Sequence, residues 1–207
     1  MTALYRYAVK SMLGEPSVSA VVRHTGLSGD RTHAVLDETG AIGSAKHPRR
    51  WGPLLCCRSV RGGHRREDHG RQGRVRNVLR FGRVHLVTTS SLTTLRSVHP
   101  TGDFDPRRFR PNLLVDTGEL PASAEDSWQG RRLRVGEALF RVLVPTPRCV
   151  VPTLRHDELK ADPGIMRAIA HEHRVPVYDL GRLACFGVYP DVLEPGRVRL
   201  GDTVISD

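Results

Sequence analysis

Val144-Pro145-Thr146-Pro147-Arg148-Cys149-Val150-Val151 is the stretch on which the reading of this 207-residue chain turns. Pro145 and Pro147 fix their own φ and restrict the residue before each, so the backbone arrives at Cys149 extended and stiff. A thiol beside a guanidinium is favoured as thiolate, the form that attacks electrophiles or binds metal. The bland alternative is a small buried hydrophobe.

Working outward, Leu133–Val135 and Ala138–Val144 predict a β-hairpin around Gly136-Glu137, which feeds a strand into the proline run. Further strands are predicted at 4–10, 17–23, 31–36, 84–87, 113–115, 185–188 and 198–200. Gly14-Glu15-Pro16, Pro190 and Pro195-Gly196 read as breaks between them. Thr88-Thr89-Ser90 can cap a helix over 91–97, and Asp162-Pro163 can start one over 164–173. The apolar run 51–57 is undecided between strand and buried helix. Strands dominate, with two or three helices and no internal repeat.

Five short words stand in a fixed order: Arg6-Tyr7-Ala8-Val9-Lys10-Ser11-Met12, Gly29-Asp30-Arg31, Ser44-Ala45-Lys46-His47-Pro48-Arg49, Arg108-Phe109-Arg110-Pro111-Asn112 and Pro147-Arg148-Cys149. In that order they make the chain similar to the MOSC family, named for the C-terminal domain of molybdenum cofactor sulfurase, with relatives that include the mitochondrial amidoxime reducing component. The resemblance covers residues 5 to about 55 and 84 to the end. It implies a mainly β fold, a MOSC-type β-barrel with a few α-helices. Three segments follow: a shortened N-terminal β unit over 1–57, an Arg/Gly-rich loop or linker over 58–83, and the barrel domain over 84–207. Relatives carry considerably more sequence in the middle segment.

The resemblance also implies a bound molybdenum cofactor (molybdopterin). Such a group presents a dithiolene to molybdenum and a phosphate at its far end, so it needs a soft thiolate near the metal and cations around the anion. Cys149 is the expected molybdenum ligand and catalytic residue, with Arg148 as its neighbour. Lys10, Ser11 and Arg31 are expected at the phosphate; a pairing of Arg31 with Asp30 or Asp37 is the structural alternative. Ser90, beside Thr89 at a helix N-terminus, either binds anion or merely caps. Arg110 can reach phosphate or oxo ligands, and Asn112 offers both donor and acceptor to a pterin edge. Arg107 and Arg108 are read as solvated. Tyr189, Trp51 and Trp128 are read as core, with Tyr189 also a candidate for the cleft wall. His171-Glu172-His173 does not suit a metal, because i and i+2 on a helix do not share a face.

The expected activity is reduction of small N-hydroxylated substrates. Cys56, Cys57, Cys149 and Cys185 have no CxxC spacing, so electrons must come from a separate electron-donor protein. The alternative is sulfur transfer through a Cys149 persulfide. A pyridoxal phosphate role is disfavoured, since only Lys10, Lys46 and Lys160 offer an amine and none sits in a pyridoxal pattern.

The formal charge of +10 raises a third reading, nucleic-acid binding. Nine arginines against Glu67 and Asp68 concentrate +7 of it between Arg58 and Arg83, without the interleaved aromatics that stack bases. Nucleic acid is therefore not the expected partner. No run of 18 apolar residues and no secretory leader is visible, so the chain reads as cytoplasmic and without a membrane.

Overall fold

The computed structural model describes residues 1–59, the backbone of 73–74, 82–121 and 123–207. Its strands are β1 (Ala3–Arg6), β2 (Glu15–Pro16), β3 (Ser19–Arg23), β4 (Gly26–Leu27), β5 (His33–Ala34), β6 (Gly73–Arg74), β7 (Leu86–Thr88), β8 (Leu113–Val115), β9 (Arg132–Val135), β10 (Ala138–Pro147), β11 (Arg174–Pro176), β12 (Arg182–Glu194), β13 (Gly196–Arg199) and β14 (Val204–Ser206). The helices are α1 (Pro48–Trp51), α2 (Thr89–Val98) and α3 (Gly164–Glu172). The fold is mainly β with a few helices.

The large sheet runs β14-β9-β10-β12-β7-β8-β1-β2, with β11 attached to β12. Among the described strands of this sheet only β7 and β8 pair in parallel, Leu86 opposite Leu113. Among the described residues no pairing joins β14 to β2, so this path is open rather than a closed barrel. The early strands are woven into the later ones: β1 pairs with β8, and β3 pairs with β13. Most of the 58–83 segment lies outside the described residues; within it β6 pairs with β5.

Strand alternation sorts side chains between two cores, because successive residues of a strand point to opposite faces. Leu86 and Leu113 join a cluster with Phe140, Val142 and Val188 on one face. Val87 and Leu114 join the other, where Leu92 and Leu95 of α2 and Ile165 and Ile169 of α3 cover the sheet. Phe109 and Phe186 meet there with ring centroids 4.3 Å apart.

The hairpin at Gly136 forms as predicted, Ala138 opposite Val135. Thr88 caps α2, its hydroxyl accepting from the Ser91 amide at 3.3 Å. Other local expectations give way to tertiary pairing. Pro190 lies inside β12, opposite Val142 where the β10–β12 register shifts, because a bulge tolerates a residue with no N–H to donate. Glu15–Pro16 forms a two-residue strand rather than a simple turn. The 31–36 strand contracts to His33–Ala34, and the undecided 51–57 run becomes a 3-10 helix, Gly52–Cys56, continuing α1.

Candidate functional site

Three loops bend through left-handed backbone to reach one place. Ser11 (φ 63°), Arg31 (φ 48°) and Arg110 (φ 56°) are three of the six non-glycine residues with positive φ among the described residues. Each such residue costs about 1–3 kcal/mol, a strain that persists only where surrounding structure imposes it. Arg110 shows how. Asp105 caps a 3-10 helix, Pro106–Phe109, by accepting from the Arg107 amide at 2.8 Å. Arg110 closes that helix in the left-handed conformation, and Pro111 prevents its continuation.

All three residues line a cavity of about 270 Å³. Lys10 enters after β1, Ser44 and Lys46 come from the loop before α1, and Gly82 to His85 lead into β7. Arg110 and Asn112 precede β8, Arg148 and Cys149 follow β10, and Tyr189 projects from β12. Seven of the eight residues expected at the site, Lys10, Ser11, Arg31, Arg110, Asn112, Arg148 and Cys149, therefore meet around one space. Ser90 does not. It is buried at the start of α2, where its hydroxyl accepts from Thr117 at 2.9 Å.

The half-buried guanidiniums of the cavity are unevenly satisfied. Arg31 pairs with Asp30, and its other donors reach Asn112 Oδ1 at 3.2 Å and the Arg110 carbonyl at 3.0 Å. Arg110 donates to the Met12 carbonyl, while its Nη2 is buried with no partner. Burial, with Arg31 and Arg148 adding repulsion, pushes its pKa down to about 10. Arg148 donates to the Phe109 carbonyl at 3.0 Å, and its Nε is likewise buried without a partner. Burial lowers its pKa too. An uncompensated buried N–H is costly unless something accepts from it, so both atoms fit an anionic ligand.

Tyr7 lies beneath these charges. Its ring centroid is 4.9 Å from the Arg31 Cζ and 4.3 Å from the Arg110 Cζ, a cation–π contact with each. Gly14 makes room for it, because a Cβ there would fall 2.4 Å from the ring.

Asn112 is wholly buried and its amide is engaged with the protein. Oδ1 accepts from the His85 amide at 3.1 Å as well as from Arg31, and Nδ2 donates to the Tyr5 carbonyl at 3.3 Å. It ties β1 to the loop before β7 and orients Arg31. His85 forms part of the cavity wall; burial, then the Arg148 charge, holds it unprotonated, and its Nε2 lies 3.2 Å from the Phe186 carbonyl. Cys149 is half-buried on the wall, with Cys185 fully buried behind it in a separate cluster. Among the described residues no group of three His, Cys, Asp or Glu side chains is placed to hold a metal. A metal at Cys149 would need its remaining ligands from a bound group.

Arg108 corrects its reading as solvated. It is 1% exposed and donates to the carbonyls of Asp103, Leu154 and Lys160 at 2.7, 3.1 and 2.7 Å. It is a structural clamp, since loops here have few backbone donors for those carbonyls. Arg107 instead bridges Asp105 and Glu158. Sequence reasoning gave no site role to His85, Tyr7, Lys46 or Arg83. Tyr7 and Lys46 stand inside the quoted words, and His85 left a trace as the one polar residue in the apolar run 84–87.

The family match takes in two of the five words, 108–112 and 147–149. The MOSC domain model fits residues 64–205, and the chain belongs to the MOSC domain family, one associated with molybdenum-cofactor binding. Its fold is similar to that of YuaD from Bacillus subtilis, with a TM-score of 0.56 at 15% identity over 99% of this chain and 94% of that one. A second crystal structure, of a hypothetical protein, gives 0.51 at 15% identity over 98% of this chain and 64% of that one. At such identity the likeness concerns fold alone. No curated protein matches the chain. Among the described residues no helix is long and apolar enough to cross a membrane.

Proposed function

We propose that the cavity holds a molybdopterin-type cofactor through Cys149, and that the chain reduces small N-hydroxylated substrates with electrons from a separate donor protein. The observation that carries this is the sharing of one cavity by a half-buried thiol and two half-buried guanidiniums, each with a buried, unpartnered N–H group. When bound, the cofactor supplies the electron and oxygen-atom transfer chemistry.

The residues would divide that task. Cys149 offers a soft thiolate to the metal. Arg110 Nη2 and Arg148 Nε donate to anionic oxygens, and Lys10 adds a point charge. Ser11 accepts from the Ala45 amide at 3.0 Å, which leaves its own hydroxyl hydrogen free to donate. Asn112 acts through Arg31 by holding it in place. Phe109, Val84 and Val151 give the cavity apolar wall that limits water. His85, held unprotonated by burial and the Arg148 charge, adds no charge to the wall.

Molybdenum analysis tests the reading on protein made in a host that synthesises molybdopterin. Near-stoichiometric metal in the wild type, lost in Cys149→Ala, is the expected result; wild-type protein without molybdenum overturns it. Sulfur transfer is the second reading, favoured by the accessibility of the Cys149 thiol. It predicts a Cys149 persulfide by mass spectrometry in protein that lacks molybdenum. Nucleic-acid binding through 58–83 predicts affinity that falls steeply with salt and vanishes on deletion of that segment.

A further inference from the structure

The charge of the cavity exceeds what a single phosphate-terminated ligand can balance. Its 18 described lining residues include six cations, Lys10, Arg31, Lys46, Arg83, Arg110 and Arg148, and among them no Asp or Glu. Asp30, just outside the lining, neutralises Arg31 alone. A phosphate monoester brings about −1.5 to −2 at neutral pH. Arg110 and Arg148, each with a buried unpartnered nitrogen, suffice to receive it.

That leaves Lys10, Lys46 and Arg83 toward the mouth. Lys46 and Arg83 are exposed, and Lys10 is half-buried. None of the three forms an ion pair with another described residue; Arg83 makes one hydrogen bond, to the His24 carbonyl at 2.7 Å. Lys10 and Lys46 are close enough that the Lys46 charge, after burial, helps lower the Lys10 pKa. A solvated surface would separate or pair such charges. Here all three residues line one concave, partly apolar space, an arrangement that focuses the field and concentrates anions.

We infer that Lys46 and Arg83 form a second anion subsite at the mouth, Lys10 lending its charge to it as well as to the cofactor's anion; the subsite takes a carboxylate or phosphate on the substrate itself. The substrate class of the cavity is then anionic N-oxygenated small molecules, and neutral ones are discriminated against. This rests on the functional reading above only for the word substrate; the subsite is a property of the cavity. Gly82 supports the geometry. A Cβ there would lie 2.4 Å from Tyr189, so the segment carrying Arg83 is pressed against the cavity wall rather than free of it.

Calorimetric titration of the protein with benzoate and with benzamide tests the inference, because the two probes differ in charge and neither is reducible at nitrogen. Benzoate is expected to bind about tenfold or more tightly than benzamide, with an advantage that shrinks as salt rises. The Lys46→Gln/Arg83→Gln double variant, altered only at exposed positions, is expected to bring the two probes to equal affinity. Equal affinities in the wild type, or a benzoate advantage that survives in the double variant, overturn the inference. Molybdenum content measured on the same samples separates the two ideas: a benzoate advantage that the double variant abolishes, in protein without molybdenum, sustains the anion subsite and sinks the cofactor reading. Molybdenum-loaded protein with equal affinities does the reverse. In active protein, the ratio of kcat/KM for a carboxylated over an uncharged N-hydroxy substrate is expected to fall toward one in the double variant.

Discussion

The Arg110 Cζ lies 4.3 Å from the centroid of the Tyr7 ring, and that ring, rather than a carboxylate, is what faces the buried guanidinium. A cation–π contact stabilises the charge without neutralising it, so Arg110 keeps both its field and its unpartnered Nη2 for a ligand. An acidic partner would have satisfied the site in advance.

The Tyr7 hydroxyl is buried with no hydrogen-bond partner, which makes it a liability in the ligand-free protein. Tyr7→Phe keeps the ring beneath both arginines and is expected to raise unfolding stability by about 1 kcal/mol. Urea denaturation reads this directly; a loss of stability would mean that the hydroxyl is satisfied.

Arg108 donates to carbonyls on two separate segments, Asp103 before its own helix and Leu154 and Lys160 beyond β10. Arg108→Met keeps the aliphatic bulk but strands those oxygens, and should cost about 2–4 kcal/mol. An unchanged denaturation midpoint would show that water replaces the clamp.

Gly187 combines φ of +75° with a site where a Cβ would sit 2.4 Å from the Leu86 carbonyl oxygen and 2.7 Å from His85 Nε2. Neither a backbone carbonyl nor a wall residue of the cavity can move cheaply. Gly187→Ala is expected to lose at least about 3 kcal/mol, the sum of left-handed strain and overpacking. Thermal unfolding is the measurement, and a shift of under a degree or two would contradict it.

Two histidines pull stability in opposite directions with pH. His156 is buried, and burial lowers its pKa to about 4, so only the unfolded chain takes up its proton below about pH 6.5. Its contribution is intact above that pH and declines toward pH 4, by on the order of 3 kcal/mol. His85, also depressed by burial, adds to the same acid limb. His173 has its pKa raised by the Asp126 carboxylate, so its contribution is full below about pH 6.5 and is lost as pH rises through the higher native value. Denaturation from pH 4 to 8.5 should show the acid limb flatten in His156→Gln and the loss above neutrality flatten in Asp126→Asn. Unaltered slopes in both variants would refute the assignment.

Strand positions such as 113–115 and 133–135, and the helix starting near Asp162, were legible because each depends on neighbours in the sequence: alternation, a turn glycine, an N-terminal Asp-Pro. The site words were legible as residue types for the same reason, since thiol, guanidinium and lysine announce their chemistry wherever they fall. Arg108 was not. Nothing local distinguishes a guanidinium headed for solvent from one headed for carbonyls 40 or more residues away.

The amino-acid order alone determined a mainly β chain with a thiol, a set of cations and a family likeness. Tertiary structure decided which of them share a cavity: it brought Lys10, Arg31, Arg110 and Cys149 together, left Ser90 in the first turn of α2 bound to Thr117, and turned the Asn112 amide inward onto Arg31. It also recruited His85 and Arg83, which no motif had marked, and placed on the cavity wall Lys46, which the motif words contained without a site role. The physical reason is that hydrogen-bond and charge satisfaction are settled between segments distant along the chain, whereas periodicity and turn chemistry are settled within a few residues.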